Sequence, residues 1–177
     1  AVTRPETGSL RFQAAFPAMA ELLKSSGRVL EAALYYAALG SCRFHDVELG
    51  CSFQTSSNGE ERPREVDVIA CSGKTAYFIS CKMGGFLQKN GKLDAKKYQF
   101  VLDEIDTAAS LFAEGARVVP VLAAPHIPMQ NAKGNASDAF LRAQKSGVIL
   151  LGTEDFQNAQ ALLQALIRLA GGEEAEE

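Results

Sequence analysis

The run EVDVIACSGKTAYFISCK, Glu65 to Lys82, decides how the rest of the chain is read. Two β-rich segments, Glu65 to Ala70 and Thr75 to Lys82, flank CSGK, and the small pair Ser72-Gly73 suits a tight hairpin turn. With the turn centred there, Glu65 faces Ser80 and Asp67 faces Phe78. Side chains alternate faces along a strand, so Glu65, Asp67, Ser80 and Lys82 share one face, and Val66, Val68, Tyr77, Ile79 and Cys81 share the other. A polar cluster at one end of an apolar hairpin carries a desolvation cost unless it is paired or binds an ion.

Upstream, FPAMAELLK (16–24) has helical spacing, and after Gly27 a second helix runs from about Val29 to Leu39, with Glu31 near its start and Gly40 at its end. Residues 42–54 read as an edge strand and SSNGEERP (56–63) as a loop. Downstream of a Gly- and Lys-rich loop, Asp94 to Ala113 is a long helix with Tyr98, Val101, Leu102, Ile105, Ala108, Ala109 and Phe112 at three- and four-residue steps. ARVVPVLAAP and GVILLG are short apolar runs of the kind buried on both faces of a parallel sheet. A short helix capped by Ser137 lies between them, and Thr153 is placed to cap a last helix ending near Ala170. The order of elements predicts an α/β fold with a mixed central sheet flanked by helices.

The 177 residues are 47% hydrophobic and 22% charged, enough apolar material for one sizeable core. No apolar run approaches the roughly 18 residues of a membrane span, so a soluble, cytoplasmic protein is expected. Residues 1–15 read as a linker or N-terminal extension, 16–170 as the folded domain, and 171–177, with four glutamates, as an acidic disordered tail. Opening at Ala1 on a polar stretch is what a cut inside an interdomain linker would look like, and a trimmed native terminus looks the same.

Cys42, Cys51, Cys71 and Cys81 have no C-x-x-C spacing, and neither His45 nor His126 forms a ligand cluster with them, which argues against zinc. The net charge of −3 is unevenly spread, since Lys82 to Lys97 holds five lysines and one aspartate, a local +4.

E-V-D-V followed by a strand ending S-C-K resembles the PD-(D/E)XK motif of restriction-endonuclease-like nucleases, with Glu31 supplied by the preceding helix. Glu31's helix, the hairpin, the long helix and VVPVLA resemble, in that order, the C-terminal nuclease domain of CRISPR-associated effectors carrying an N-terminal cyclic-oligoadenylate sensor. The resemblance covers about residues 20 to 170. It implies a restriction-endonuclease-like fold and hydrolysis of DNA or RNA phosphodiesters with Mg²⁺ or Mn²⁺. It makes Asp67 the central metal ligand, helped by Glu65 or Glu31, and gives Lys82 the role of orienting water and stabilising developing charge. It also implies an N-terminal cyclic-oligonucleotide sensor domain missing from this chain, no membrane partner, and a homodimer for which the sequence itself offers no feature.

Ser80 stands where the motif usually has Asp or Glu, and a hydroxyl is a poorer ligand for a hard dication. Three readings stay open: Glu65 replaces the lost acid, or the domain binds nucleic acid or a partner without cutting, or Asp67 and Lys82 are a structural ion pair. Lys89, Lys92, Lys96 and Lys97 are candidate backbone-phosphate contacts. Phe86 and Tyr98 are aromatics able to stack on bases, Tyr98 being in phase with the apolar stripe of its helix.

Overall fold

The computed structural model describes residues 2–3, 11–12, 26–57, 60–84, 86–88, 92–112 and 117–171. The helix expected at 16–24, most of the N-terminal extension, Lys89 and the acidic tail beyond Gly171 lie outside the described residues. Two short strands, β1 (Val2–Thr3) and β2 (Arg11–Phe12), pair with each other. The remaining elements are helix α1 (Ser26–Ser41), strands β3 (Asp46–Ser57), β4 (Glu60–Ser72) and β5 (Thr75–Cys81), helix α2 (Ala95–Ser110), strand β6 (Arg117–Ala123), helix α3 (Asp138–Lys145), strand β7 (Ile149–Leu151) and helix α4 (Ala159–Gly171).

The five longer strands form one sheet in sequence order, β3-β4-β5-β6-β7. β3, β4 and β5 are antiparallel, joined by tight hairpins; β5, β6 and β7 are parallel, because α2 and α3 carry the chain back between them. This is the expected α/β arrangement, a mixed central sheet flanked by helices. On one face Leu30 and Leu34 of α1 and Leu162 and Leu166 of α4 pack on Val68, Tyr77, Ile79 and Val121. On the other, Tyr98, Leu102 and Ile105 of α2 and Ala139 and Ala143 of α3 pack with Leu122 and Leu150. The central strands read as near-continuous apolar text because both faces are covered. No helix among the described residues is long and apolar enough to cross a membrane.

Several local expectations change. SSNGEERP is mostly paired strand: Ser57 faces Glu60 and Gln54 faces Pro63, so β3 and β4 pair as one long antiparallel ladder. α1 runs on through Gly40 and ends at Ser41, before Cys42 at φ +54. Thr153 opens a short 3-10 turn (Thr153–Phe156) rather than capping α4. Its hydroxyl donates to the Pro125 carbonyl at 2.9 Å, and Asn158 accepts from the Ala161 N–H at the helix start. Ser137 does cap α3, accepting from the Phe140 N–H at 3.1 Å.

The hairpin that decides the fold is also set differently from expectation. Ser72 pairs with Thr75 and Val68 with Ile79, so the turn is Gly73-Lys74, with Gly73 at φ +57. A two-residue turn that needs a left-handed first position draws Gly to that position, whereas the Ser72-Gly73 turn would have put a serine there. The face assignment survives, since the shift moves the pairing by two residues: Val66, Val68, Tyr77, Ile79 and Cys81 are all buried. The partners change. Continued by one step the ladder sets Asp67, not Glu65, beside Ser80.

Candidate active site

Asp67 sits where the sheet's regularity breaks on both sides. Towards β5, the paired register stops at Val68 and Ile79. Towards β3, the pairing runs from Asp46 to Ser57 but skips Gly50, the residue that would face Asp67, and Gly50 is in the left-handed region at φ +66. In place of a ladder bond, the Asp67 carboxylate accepts the Cys81 N–H at 2.6 Å, and the Ser80 hydroxyl donates to the same oxygen at 3.4 Å. A short bond from a backbone N–H to a carboxylate is charge-assisted and fixes the orientation of the acceptor. Lys82 follows directly after β5, its own N–H donating to the Ala123 carbonyl at 2.9 Å.

These side chains open on a cleft of about 260 Å³ between the β4-β5 hairpin and α2. Its lining includes Arg64, Glu65, Asp67, Ser80, Lys82 and Glu104. Glu65, Asp67 and Lys82 are thus brought together as expected. Glu31 comes from α1 on the other side of the sheet and is close enough to respond to the same charges. Burial raises its pKa above the ordinary carboxylate value, the charges of Asp67 and Glu65 raise it further, and Arg28 and Lys82 pull it down. A carboxyl made harder to ionise by two neighbouring carboxylates marks a site of concentrated negative charge, which suits a cation.

The donor chemistry of Asp67, Glu65 and Glu31 fits a hard dication, which takes carboxylate oxygens. The spacing is wider than a closed coordination shell: among the described residues no three His, Cys, Asp or Glu side chains lie close enough together to hold one ion. Cys81, beside the cleft, is buried, and burial pushes its thiol well above the usual range with Asp67 and Glu31 adding to the shift. It is a packed apolar group rather than a nucleophile.

Lys96 and Lys97, exposed on the first turn of α2, line an adjoining groove of about 550 Å³ that shares Lys82 and Glu104 with the cleft. Lys92 is exposed in the preceding loop, whose ends are tied by the Leu87–Leu93 bridge and by the Asp94 N–H donating to the Phe86 carbonyl. Phe86 is only 5% exposed and packs edge-on against the buried Tyr98 ring, so neither aromatic is available to a base. Phe100 is: it stands 68% exposed in the groove with Lys96 and Lys97. Sequence reasoning passed over it, although its place off the Tyr98-Leu102-Ile105 stripe was the available signal. Arg64 and Glu104 were also missed, because nothing local says that β4 and α2 meet there.

No protein-family pattern and no curated protein sequence matches the chain. Solved structures do. Protein VC1899 from Vibrio cholerae superposes over 97% of this chain with a TM-score of 0.60 at 16% identity. Can2 from Sulfobacillus thermosulfidooxidans, solved in complex with cyclic tetra-adenylate, superposes over 93% with a TM-score of 0.56 at 15% identity. The small subunit of the heterodimeric restriction endonuclease R.BspD6I is more distant, with a TM-score of 0.43 at 13% identity over 86% of this chain and 85% of that one. The chain spans 40% of VC1899 and 42% of Can2, about two fifths of each. At these identities the first two likenesses establish a shared fold.

Proposed function

We propose that this domain is a metal-dependent nuclease that hydrolyses phosphodiester bonds of DNA or RNA at the Asp67–Lys82 cleft. The observation that carries the reading is the placement of Asp67. It stands at a double break in the sheet, its carboxylate oriented by the Cys81 N–H, with Lys82 and Glu65 lining the same cleft and Glu31 within their field.

Asp67 with Glu65 or Glu31 would hold Mg²⁺ or Mn²⁺, which when bound supplies an acidified water and neutralises charge on the phosphate. Lys82 places an ammonium in the cleft, where it donates to the attacking water or to a phosphate oxygen and offsets the charge that grows there in the transition state. Lys92, Lys96 and Lys97, with Lys89, hold the substrate backbone without reading sequence, and Phe100 offers a face on which an unstacked base can rest.

The likeness of fold to Can2, which was solved with cyclic tetra-adenylate, supports reading this domain as the effector part of a longer protein. Its sensor part would recognise a cyclic oligonucleotide, and the whole would act in CRISPR-associated antiviral defence as a homodimer in the cytoplasm. Residues 1–15, within which Val2–Thr3 pairs with Arg11–Phe12, would be a linker or N-terminal extension and 171–177 an acidic tail.

One observation favours a second reading, in which the domain binds nucleic acid without cutting it. Ser80 is in the position of the motif's second acid, and the settled hairpin register puts Asp67 beside it, leaving Glu65 one step further along the strand. Cleavage of labelled single- and double-stranded DNA and RNA with Mn²⁺ by the wild type, Glu65→Gln and Ser80→Glu separates the two. An active wild type disabled by Glu65→Gln supports the nuclease with Glu65 as the replacement acid. An inert wild type that Ser80→Glu awakens establishes the degenerate reading instead.

A further inference from the structure

We propose that Arg64 is a substrate-phosphate contact of the same cleft, held in wait by Glu104; the inference rests on the nucleic-acid reading above and adds a residue and a competition to it. Arg64 immediately precedes Glu65 on β4, and its side chain lines the cleft together with Asp67, Ser80 and Lys82. Two facts about its guanidinium stand out. Its Nε is buried and, among the described residues, has no hydrogen-bond partner. Its Nη1 lies 3.9 Å from Glu104 Oε1 on α2, beyond hydrogen-bond reach, so the pair is held by charge alone.

A guanidinium presents five N–H donors in a rigid fork, and a buried donor left unmatched carries a cost that folding ordinarily avoids. Nε itself is closed to solvent, but the side chain is 33% exposed at the wall of a polar cleft, so the Nη donors at the tip of the fork are the ones an incoming anion meets. Phosphate matches the fork with two parallel hydrogen bonds, which the single long contact to Glu104 does not provide. Glu104 lines both the cleft and the adjoining lysine groove, so an entering backbone phosphate meets it whichever way it arrives. The two anions compete for one cation: with substrate absent Glu104 keeps Arg64 over the cleft, and with substrate present the phosphate takes the fork. This competition discriminates against weakly charged ligands, because only an anion able to use both donors displaces the carboxylate.

The two substitutions should then act in opposite directions. Fluorescence anisotropy with labelled oligonucleotides, with Ca²⁺ in place of Mn²⁺ to suppress cleavage, gives the Kd for wild type, Arg64→Lys, Arg64→Ala and Glu104→Gln at several salt concentrations. Arg64→Lys keeps the charge and loses the fork, and should weaken binding about tenfold with little change in the salt slope. Arg64→Ala should weaken it further and flatten the slope by about one phosphate contact. Glu104→Gln should tighten binding severalfold. Circular dichroism melts identify any variant that has failed to fold, and Arg64→Lys serves where Arg64→Ala does. A merely structural strap between β4 and α2 predicts that both halves of the pair lower the melting temperature and neither changes the Kd of folded protein; that result overturns the proposal. Wild type that binds and cuts with Arg64→Lys unchanged overturns the Arg64 assignment alone, whereas wild type that binds no nucleic acid removes the assignment and the nuclease reading together.

Discussion

Replacing Asp67 with Ala tests whether this carboxylate is a structural clamp as well as a chemical group. In the folded protein it accepts the Cys81 N–H at 2.6 Å at the point where the β4-β5 ladder ends. A hydrogen bond to a charged group contributes about 1.5–3 kcal/mol, and its loss leaves the Cys81 N–H without that acceptor. Against this, the substitution relieves the repulsion that Asp67 exerts on Glu31. For partly exposed charges each such term is about 0.2–1 kcal/mol. The contact wins, and the net destabilisation should be about 1–2 kcal/mol, a fall in Tm of roughly 2–8 °C for a chain of this size. Urea unfolding followed by circular dichroism at neutral pH in a chelator measures it, with an unchanged m-value showing that the denatured state is the same. Asp67→Asn keeps an acceptor oxygen and should recover part of the loss. An Asp67→Ala protein more stable than wild type would refute the reasoning, because repulsion would then outweigh the bond to Cys81.

Three further outcomes follow from the geometry. The Glu31 pKa is raised in the fold, so the folded state holds that proton more tightly, and charging Glu31 costs stability as pH climbs from the ordinary glutamate value of 4.5 through the raised one. Glu31→Gln should therefore melt higher than wild type at pH 7, with the difference vanishing below about pH 4; a difference that is constant with pH would point to packing instead. At Gly50 an added Cβ meets nothing within 4 Å, so Gly50→Ala carries only the left-handed backbone cost of about 1–2 kcal/mol, partly offset by a less flexible unfolded chain. Its net loss in urea unfolding should be near 1 kcal/mol, and a loss several times larger would mean that the kink facing Asp67 is held by more than the glycine. Replacing Lys89, Lys92, Lys96 and Lys97 with Gln should lower the slope of log affinity against log salt by about three, and an unchanged slope would return these lysines to ordinary surface.

The fold was legible in the sequence where periodicity was strong. Tyr98, Leu102, Ile105 and Ala109 recur at helical steps and are the buried stripe of α2, and VVPVLA is a central strand because parallel strands are covered on both faces. The polar text of SSNGEERP hid a strand, since the hairpin arm it forms projects past the ends of β5 and needs no apolar alternation. The hairpin register was the finer failure: Ser72-Gly73 and Gly73-Lys74 are both plausible turns, and only the position that Gly must occupy distinguishes them. That shift left the faces intact, so the meeting of Glu65, Asp67, Ser80 and Lys82 was foreseen, while the neighbour of Ser80 was not. Phe100 was within reach, since it falls off the apolar stripe of its helix, but Arg64 and Glu104 were not. Their significance arises from β4 and α2 packing across some forty residues of chain, and single-sequence patterns carry no such long-range term.

The measurement that bears most directly on the central claim is the rate of Mn²⁺-dependent cleavage of labelled DNA and RNA by wild type and by Lys82→Ala, at Mn²⁺ concentrations giving equal occupancy by calorimetry. With the carboxylates untouched, Lys82→Ala removes only the ammonium that offsets developing charge, so it should retain Mn²⁺ binding and lose at least a hundredfold in rate, in line with the loss of one transition-state donor. Cleavage by Lys82→Ala at the wild-type rate would contradict the account.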